Sequence, residues 1–336
     1  MKILVTGGAG FIGRWVVKKL LEHNHNITVI DNLSNGSMYN IKEFTGDKYY
    51  GKFNFINGDI KDINVLNTVF RQEYDIIYHL AASINVQDSI DDPKTTFLND
   101  TVGTFNILEF AKTQMFGKNF RMKGDKVIVD NSEEIHPCKI VFMSTCMVYD
   151  IANNVGIDEF HNTKPNSPYS ASKLAAENLV LSYYNTYGLP SVVIRPFNTY
   201  GPFQKSNGEG GVVPIFINKA LNRNDIDIYG DGNQTRDLLY VEDCAEFVIK
   251  AGINNMVDGE IINAGTGNDV TINELAKIIS RGRSKINHID HIHPQSEIMK
   301  LKCNYDKARK LLNWEPKYTL EQGIKEIEKW LKKSGF

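Results

Sequence analysis

Tyr169 and Lys173 stand four residues apart behind Ser167-Pro168, and such a pair can do proton chemistry if it shares a helix face. Ser167 suits a helix N-cap and Pro168 the first helical position, which places Tyr169 and Lys173 one turn apart on the same side. A phenol of usual pKa about 10 must fall by about three units to act as a base near neutrality, roughly 4 kcal/mol of differential stabilisation. A nearby ammonium and a second positive charge in a partly dry site supply that amount. Roughly one Tyr-x-x-x-Lys pair is expected by chance in such a chain, so the pair counts only with its surroundings. Upstream, the apolar run Ile140–Met143 leads into Ser144-Thr145-Cys146-Met147-Val148-Tyr149-Asp150, which offers the Thr145 hydroxyl and the Cys146 thiol at a strand end. A thiol of usual pKa about 8.5 can donate a proton, whereas the Met147 thioether cannot accept one. The alternative for Cys146 is a small buried hydrophobe.

What would accept electrons is read at the start of the chain. Ile3-Leu4-Val5 runs into Gly7-Gly8-Ala9-Gly10-Phe11-Ile12-Gly13 and then an apolar-periodic segment from Trp15 to Leu21, the pattern of strand, glycine turn and helix. Gly7, Gly10 and Gly13 let the backbone turn sharply and approach a pyrophosphate, with Phe11 and Ile12 in the first helical turn beneath it. Ile27–Ile30 reads as the second strand, and Asp31 closes it where a carboxylate accepts hydrogen bonds from an adenosine ribose. The segment Asn32-Leu33-Ser34-Asn35-Gly36 carries no Arg or Lys to pair with a 2′-phosphate, and Asp31 would repel one. NAD is expected over NADP, with Asn32, Asn35 and Gly36 beside it.

Strands and helices alternate around these residues: Phe53–Ile56 (strand), Ile63–Phe70 (helix), Ile76–Leu80 (strand), Phe97–Ala111 (helix), Ile140–Met143 (strand), Ala171–Tyr187 (helix) and Ser191–Ile194 (strand). That rhythm specifies an α/β fold, a Rossmann-like doubly wound parallel sheet covered on both faces. The stretch of about 116–136 breaks it, with Gly117, Gly124 and a short Val127-Ile128-Val129, and reads as a surface insertion. After Pro202 the pattern becomes irregular, with helices near Pro214–Leu221, Cys244–Ile253, Ile272–Ile279, Asp306–Leu312 and Leu320–Leu331 and strands near Asp227–Tyr229 and Ile261–Asn263. Residues 1–200 are therefore read as the dinucleotide-binding domain and 201–336 mainly as a smaller substrate-binding α/β lobe, with some segments returning to the first.

The 336 residues, 42% of them hydrophobic, suffice for a large core. A net charge of −2 gives no field to gather nucleic acid. No apolar stretch approaches the roughly 20 residues of a membrane span, and the amino terminus enters a strand directly, so a cytoplasmic protein without signal peptide is expected. Cys138, Cys146, Cys244 and Cys303 lack metal-type spacing and are expected as free thiols. His288, His291 and His293 alternate with isoleucines and read as the wet face of a strand, so no metal is expected. The Lys-rich carboxyl-terminal helix reads as a solvated amphipathic face.

Taken in order, Gly7–Gly13, Asp31, Asp59-Ile60, His79-Leu80-Ala81-Ala82, Ser144-Thr145, Tyr169/Lys173, Arg195-Pro196-Phe197-Asn198-Thr199-Tyr200-Gly201-Pro202 and Arg236-Asp237 resemble the extended short-chain dehydrogenase/reductase family that modifies nucleotide sugars. The resemblance spans almost the whole chain. It implies that Asp59 and Ile60 flank the adenine, that Leu80, Ala81 and Ala82 line the cofactor, and that Thr145 bonds the sugar's 4-hydroxyl. It also implies that Asn198 and Arg236 hold the nucleoside diphosphate, for which Arg suits bidentate recognition, that Ser83, Asn85, Met147 and Val212 contact substrate, and that the chain forms a homodimer.

Within that family the glucose-type 4,6-dehydratases place Asp-Glu after Ser-Thr, where this chain has Cys146-Met147. Simple 4-epimerases carry small or apolar residues there. The string Ser144–Asp150, with Gly13-Arg14-Trp15-Val16-Val17, Ser83–Ser89 and Asn207–Val213, is most similar to the soluble UDP-N-acetylglucosamine dehydratases, including the tunicamycin-pathway type. Asp150 in place of the common Gly, and Asp100 where relatives usually have Asn, fit that subgroup. The function expected is an NAD-dependent UDP-N-acetylglucosamine 4,6-dehydratase, with Thr145, Cys146, Tyr169 and Lys173 catalytic. The alternatives are 5,6-dehydration, 4-epimerisation of a UDP-sugar, and a non-catalytic NAD-binding sensor. The base for the C5 proton is open among Tyr169, Asp88 and Asp150.

Overall fold

The computed structural model describes residues 1–117, 120–123, 126–129, 136–150, 156–206, 211–290 and 297–334. In chain order the strands are β1 (Lys2–Thr6), β2 (Asn26–Asp31), β3 (Phe53–Asn57), β4 (Ile76–His79), β5 (Phe120–Lys123), β6 (Lys126–Val129), β7 (Lys139–Met143), β8 (Ser191–Pro196), β9 (Asn198–Tyr200), β10 (Ile226–Tyr229), β11 (Thr235–Tyr240), β12 (Ile261–Ala264), β13 (Asp269–Thr271) and β14 (Ile286–Ile289). Seven of them form one sheet in the order β12-β8-β7-β4-β1-β2-β3, and the pairings from β3 through β8 are parallel. All five residues of β7 and the apolar residues of β1 are buried, as expected of parallel strands covered on both faces. The chain lays β2 and β3 to one side of β1 and β4, β7 and β8 to the other, so the order reverses at β1, the switch point beside which such sheets take their ligands. This is the Rossmann-like architecture expected.

Contacts divide the chain into two compact units. The first comprises Met1–Ser144, Ser167–Ile194 and Val248–Ile262. Its core joins Leu4, Ile77, Ile140 and Val193 of the strands to Leu108, Ala176 and Val180 of the helices. The second comprises Thr145–Asn166, Arg195–Phe247 and Asn263–Phe336. It holds the three-stranded β13-β11-β9 sheet and the parallel β10-β14 pair. The division does not follow one cut near residue 200. Sheet hydrogen bonds draw the later segment back: Gly259 N–H donates to Ser191 O at 2.7 Å and Val193 N–H to Glu260 O at 2.9 Å.

One local departure from expectation bears on the site. The helix expected over Phe97–Ala111 begins earlier, at Pro93, with Asp92 capping it through Thr95 N–H at 3.1 Å. It then passes through a π turn at Leu98–Val102 before resuming as Gly103–Phe116. The helix that carries Tyr169 and Lys173 runs Pro168–Tyr187 with Ser167 as its N-cap, as the Ser167-Pro168 pair predicts. The insertion contains a β5-β6 hairpin that pairs only with itself; Gly124 lies outside the described residues, as do His291, His293 and Asn207–Gly210. His288 stands on β14, exposed, with Nε2 2.8 Å from Asn273 Oδ1. The carboxyl-terminal helix Leu320–Ser334 buries Ile324, Ile327 and Leu331 and leaves its lysines exposed. All four cysteines are free and buried. Among the described residues no helix is long and apolar enough to cross a membrane.

Candidate functional site

In the first unit the glycine turn is fixed by steric need. Gly7 has φ +72°, and a Cβ there would lie 2.7 Å from Ala81 N; a Cβ on Gly13 would lie 2.1 Å from Gly7 O. Gly10 N-caps the helix Phe11–Glu22 without a side-chain hydrogen bond, so the first-turn N–H groups at Phe11 and Ile12 remain available to an anion. Asp31 accepts Ala9 N–H at 3.0 Å and Leu33 N–H at 2.8 Å, and burial pushes its carboxyl above the usual range. Asn32 donates to Asp59 at 3.1 Å. Burial raises the Asp59 carboxyl, but hydrogen bonds from Lys61 and Asn32 outweigh it and hold the group low. Gly36 packs on Ala9, where a Cβ would come within 2.9 Å, while Asn35 is exposed. Ile60 is buried over Gly103. Leu80, Ala81 and Ala82 follow β4 and are half-buried, with Ala81 N–H donating to Thr6 Oγ1 at 3.1 Å. Glycines that admit no side chain, an uncapped helix start and a carboxylate closing β2 with no basic residue in 32–36 fit a dinucleotide with an unphosphorylated ribose.

On the same unit Ser167 and Ser170 form a reciprocal cap, Ser170 N–H to Ser167 Oγ at 3.2 Å and Ser167 N–H to Ser170 Oγ at 3.1 Å, with Pro168 at the first turn. Tyr169 is 9% exposed and Lys173 2%. The Lys173 ammonium lies 4.4 Å from the centre of the Phe142 ring. Burial pulls it below the usual lysine range, opposed by the carboxylates of Asp100 and Glu177. Ser83 meets the same locality, its N–H on Asp100 and its Oγ accepting from Asn99 at 2.8 Å. Asn85 uses its side-chain oxygen to cap Val86–Asp91 through Gln87 N–H at 2.9 Å.

The second unit assembles a different set. Thr145 N-caps a 3₁₀ turn over Cys146–Val148, its Oγ1 accepting Met147 N–H at 3.2 Å. The Cys146 thiol is 3% exposed and pushed up to about 12 by burial, with Arg236 pulling it down and Asp237 pushing it further up. Met147 is half-buried. Asp237 is fully buried and takes four hydrogen bonds, from Thr266 N–H and Oγ1 (both 2.7 Å), Gly267 N–H (2.9 Å) and Cys303 N–H (3.0 Å). Burial still moves its carboxyl up to about 6. Arg236 donates to Thr235 O and Ile298 O at 2.8 Å and pairs with Glu297. Asn198 pairs in register with Leu238 on β11, and its buried side-chain oxygen has no hydrogen-bond partner among the described residues. Val212 begins the helix Val212–Leu221.

Sequence reasoning did not single out Asp237 as a neighbour of Cys146, nor Cys303 or Glu297. Asp237 follows Arg236 directly, and a carboxylate at the head of the apolar run Leu238-Leu239-Tyr240 was the available signal. Cys303 and Glu297 carry no local pattern.

The family described as GDP-mannose 4,6 dehydratase matches residues 4–327. UDP-glucose 4-epimerase of Mycolicibacterium smegmatis is 33% identical over 337 residues, covering 99% of this chain and all of that one. Among solved structures, Pal from Bacillus thuringiensis is 56% identical with a TM-score of 0.91, covering 99% of this chain and 100% of its own. The dTDP-glucose 4,6-dehydratase of Bacillus anthracis, solved with NAD, is 31% identical with a TM-score of 0.83, covering 99% and 97%.

Proposed function

The chain belongs to the GDP-mannose 4,6 dehydratase family, whose members are NAD-dependent nucleotide-sugar dehydratases and epimerases, and from that premise we propose that it is a UDP-N-acetylglucosamine 4,6-dehydratase. Bound NAD would supply the chemistry of hydride acceptance at C4 of the sugar and of its return. The glycine turn and Asp31 hold that cofactor, with Asp59, Ile60 and Leu80 to Ala82 beside it. Tyr169 Oη takes the 4-hydroxyl proton, with the Lys173 ammonium favouring the phenolate. Thr145 bonds the 4-hydroxyl, and Arg236 and Asn198 hold the diphosphate. The resulting 4-ketone acidifies C5, a carboxylate, Asp88 or Asp150, takes the C5 proton while Cys146 Sγ–H protonates the hydroxyl leaving C6 as water, and the hydride then returns to C6 as C5 regains a proton.

The observation that carries the reading is the place of Cys146 in the turn that Thr145 caps, a proton-bearing thiol directly after the hydroxyl proposed to bond the sugar. A thiol pushed up to about 12 is fully protonated at neutral pH. It is still a stronger acid than the water it would form, whose pKa is about 15.7, so transfer to the departing oxygen runs downhill. A second reading, 4-epimerisation of a UDP-sugar, is favoured by the absence of a carboxylate in the turn Cys146–Val148 and by the completeness of the thiol's burial. Incubation with UDP-N-acetylglucosamine followed by mass analysis separates the two. Loss of one water without net reduction of NAD supports the dehydratase, and an isomer of unchanged mass supports the epimerase.

A further inference from the structure

Arg14 is a buried charge of the first unit that the proposed chemistry leaves without a task. It lies in the helix Phe11–Glu22, 2% exposed, and a guanidinium leaves water only at a cost unless partners meet it. One later segment does so. Arg14 Nε–H donates to Asn40 O at 2.9 Å, Nη2 pairs with Glu43, and the guanidinium carbon stands 5.6 Å from the centre of the Phe44 ring. The same segment reaches the glycine turn. Asn40 Nδ2–H donates to Ala9 O at 2.8 Å, and Ser37 N–H to the same oxygen at 3.1 Å. Gly36 lies so close that a Cβ there would come within 2.9 Å of Ala9 O and 3.1 Å of Asp31 Oδ1. Ala9 N–H donates to Asp31 Oδ2 at 3.0 Å, and Leu33 N–H to Oδ1 at 2.8 Å. An unbroken run of hydrogen bonds thus leads from Arg14 through Asn40 and Ala9 to the Asp31 carboxylate.

We propose that Arg14 is a positioning residue for the cofactor: by holding Asn40 against Ala9, it fixes the orientation in which Asp31 meets the adenosine ribose. The proposal rests on the assignment of Asp31 to that ribose. A carboxylate accepts hydroxyl hydrogen bonds well only over a limited range of angles, so its aim decides its worth. Backbone N–H groups fix that aim only as firmly as the backbone carrying them is held. Ala9 stands between Gly8 and Gly10, the residue type with the most conformational freedom. Asn40 restrains the Ala9 carbonyl, and Arg14 restrains Asn40. Lysine would keep the charge but lose the planar fork that serves Asn40 O and Glu43 together.

The test is calorimetric titration of the purified protein, freed of bound nucleotide, with NAD and with ADP-ribose. Arg14→Gln should raise the NAD dissociation constant about tenfold, the scale of one or two net hydrogen bonds, and that of ADP-ribose equally. Arg14→Lys should fall between Arg14→Gln and the unaltered protein. In an Asp31→Ala background Arg14→Gln should cost less than about twofold, because the carboxylate it aims is gone. Full additivity there overturns the proposal, and so does a lowered melting temperature with the NAD constant unmoved. Should Arg14→Gln fail to fold, Asn40→Ala removes the bond to Ala9 O and should weaken NAD about threefold, again only while Asp31 is present; an unmoved constant overturns the proposal too. Asp31→Ala alone keeps the two ideas apart. NAD affinity undiminished by Asp31→Ala discards the ribose assignment, whereas weakened binding in Asp31→Ala beside an unchanged constant in Arg14→Gln discards only the role of Arg14.

Discussion

The surroundings of Lys173 and of Cys146 bury reactive groups in opposite ways. Lys173 sits among charges, with Asp100 and Glu177 opposing the burial that pulls its ammonium below the usual lysine range. Cys146 is held in its uncharged form, because burial dominates and the Arg236 attraction is countered by Asp237. On the proposed chemistry the two do complementary work: a cation shapes the field around a base, and a buried neutral acid can only give its proton to something very basic.

The severest challenge to this contrast is Tyr169→Phe. It removes the proton acceptor while leaving Lys173 and the glycine turn in place, and turnover should fall by at least about 10²-fold, with NAD binding retained. Turnover within a few-fold of the unaltered protein would show that the charged surroundings of Lys173 serve only structure.

Cys146 yields a smaller effect with a sharper division. If the thiol is the acid, Cys146→Ser should still oxidise C4 but eliminate water about 10²-fold more slowly, equivalent to roughly 2.7 kcal/mol of transition-state stabilisation, and leave the cofactor reduced during turnover. Cys146→Ala at full dehydration rate would reduce the residue to packing.

The smallest effect is on stability, and the two regions oppose one another in sign. His79 titrates near 6.5 when unfolded and about 3 when buried, so the unfolded chain binds the extra proton and stability drains away as pH falls from about 6.5 towards 3. Asp237 has its carboxyl raised from 3.8 to about 6, so its contribution is full below about 4 and is lost as pH rises through 6. Thermal unfolding across pH 3 to 7, compared with Asp237→Asn, should show the second slope vanish in the variant. That variant should also lose about 1–3 kcal/mol, because one amide oxygen cannot serve all four donors. An unchanged slope would mean Asp237 is not the group titrating.

What could be read beforehand follows the same division. Ser167, Pro168, Tyr169 and Lys173 are neighbours in sequence, and cap geometry with a 3.6-residue period fixes their relation locally. The glycine turn and Asp31 are legible for the same reason. The π turn is not, since an added residue in a helix leaves the apolar pattern of Phe97–Ala111 looking continuous. The Asp237 cage draws donors from Thr266, Gly267 and Cys303, which no spacing rule connects to position 237. The return of β12 to the main sheet depends on pairing with β8 across the 64 residues, 197–260, that separate them, and propensity is silent at that range.

Dehydration itself is tested most directly by turning over UDP-N-acetylglucosamine in deuterated water and analysing the product by mass and NMR. In 4,6-dehydration the C5 proton and the C6 hydroxyl leave as water, the hydride from C4 returns to C6, and C5 is reprotonated. The expected product is therefore poorer by one water and carries one carbon-bound deuteron at C5. A 5,6-ene that has lost water but holds no such deuteron would move the assignment to 5,6-dehydration. A galacto isomer of unchanged mass, with no deuterium on carbon, would contradict the dehydratase and establish the epimerase.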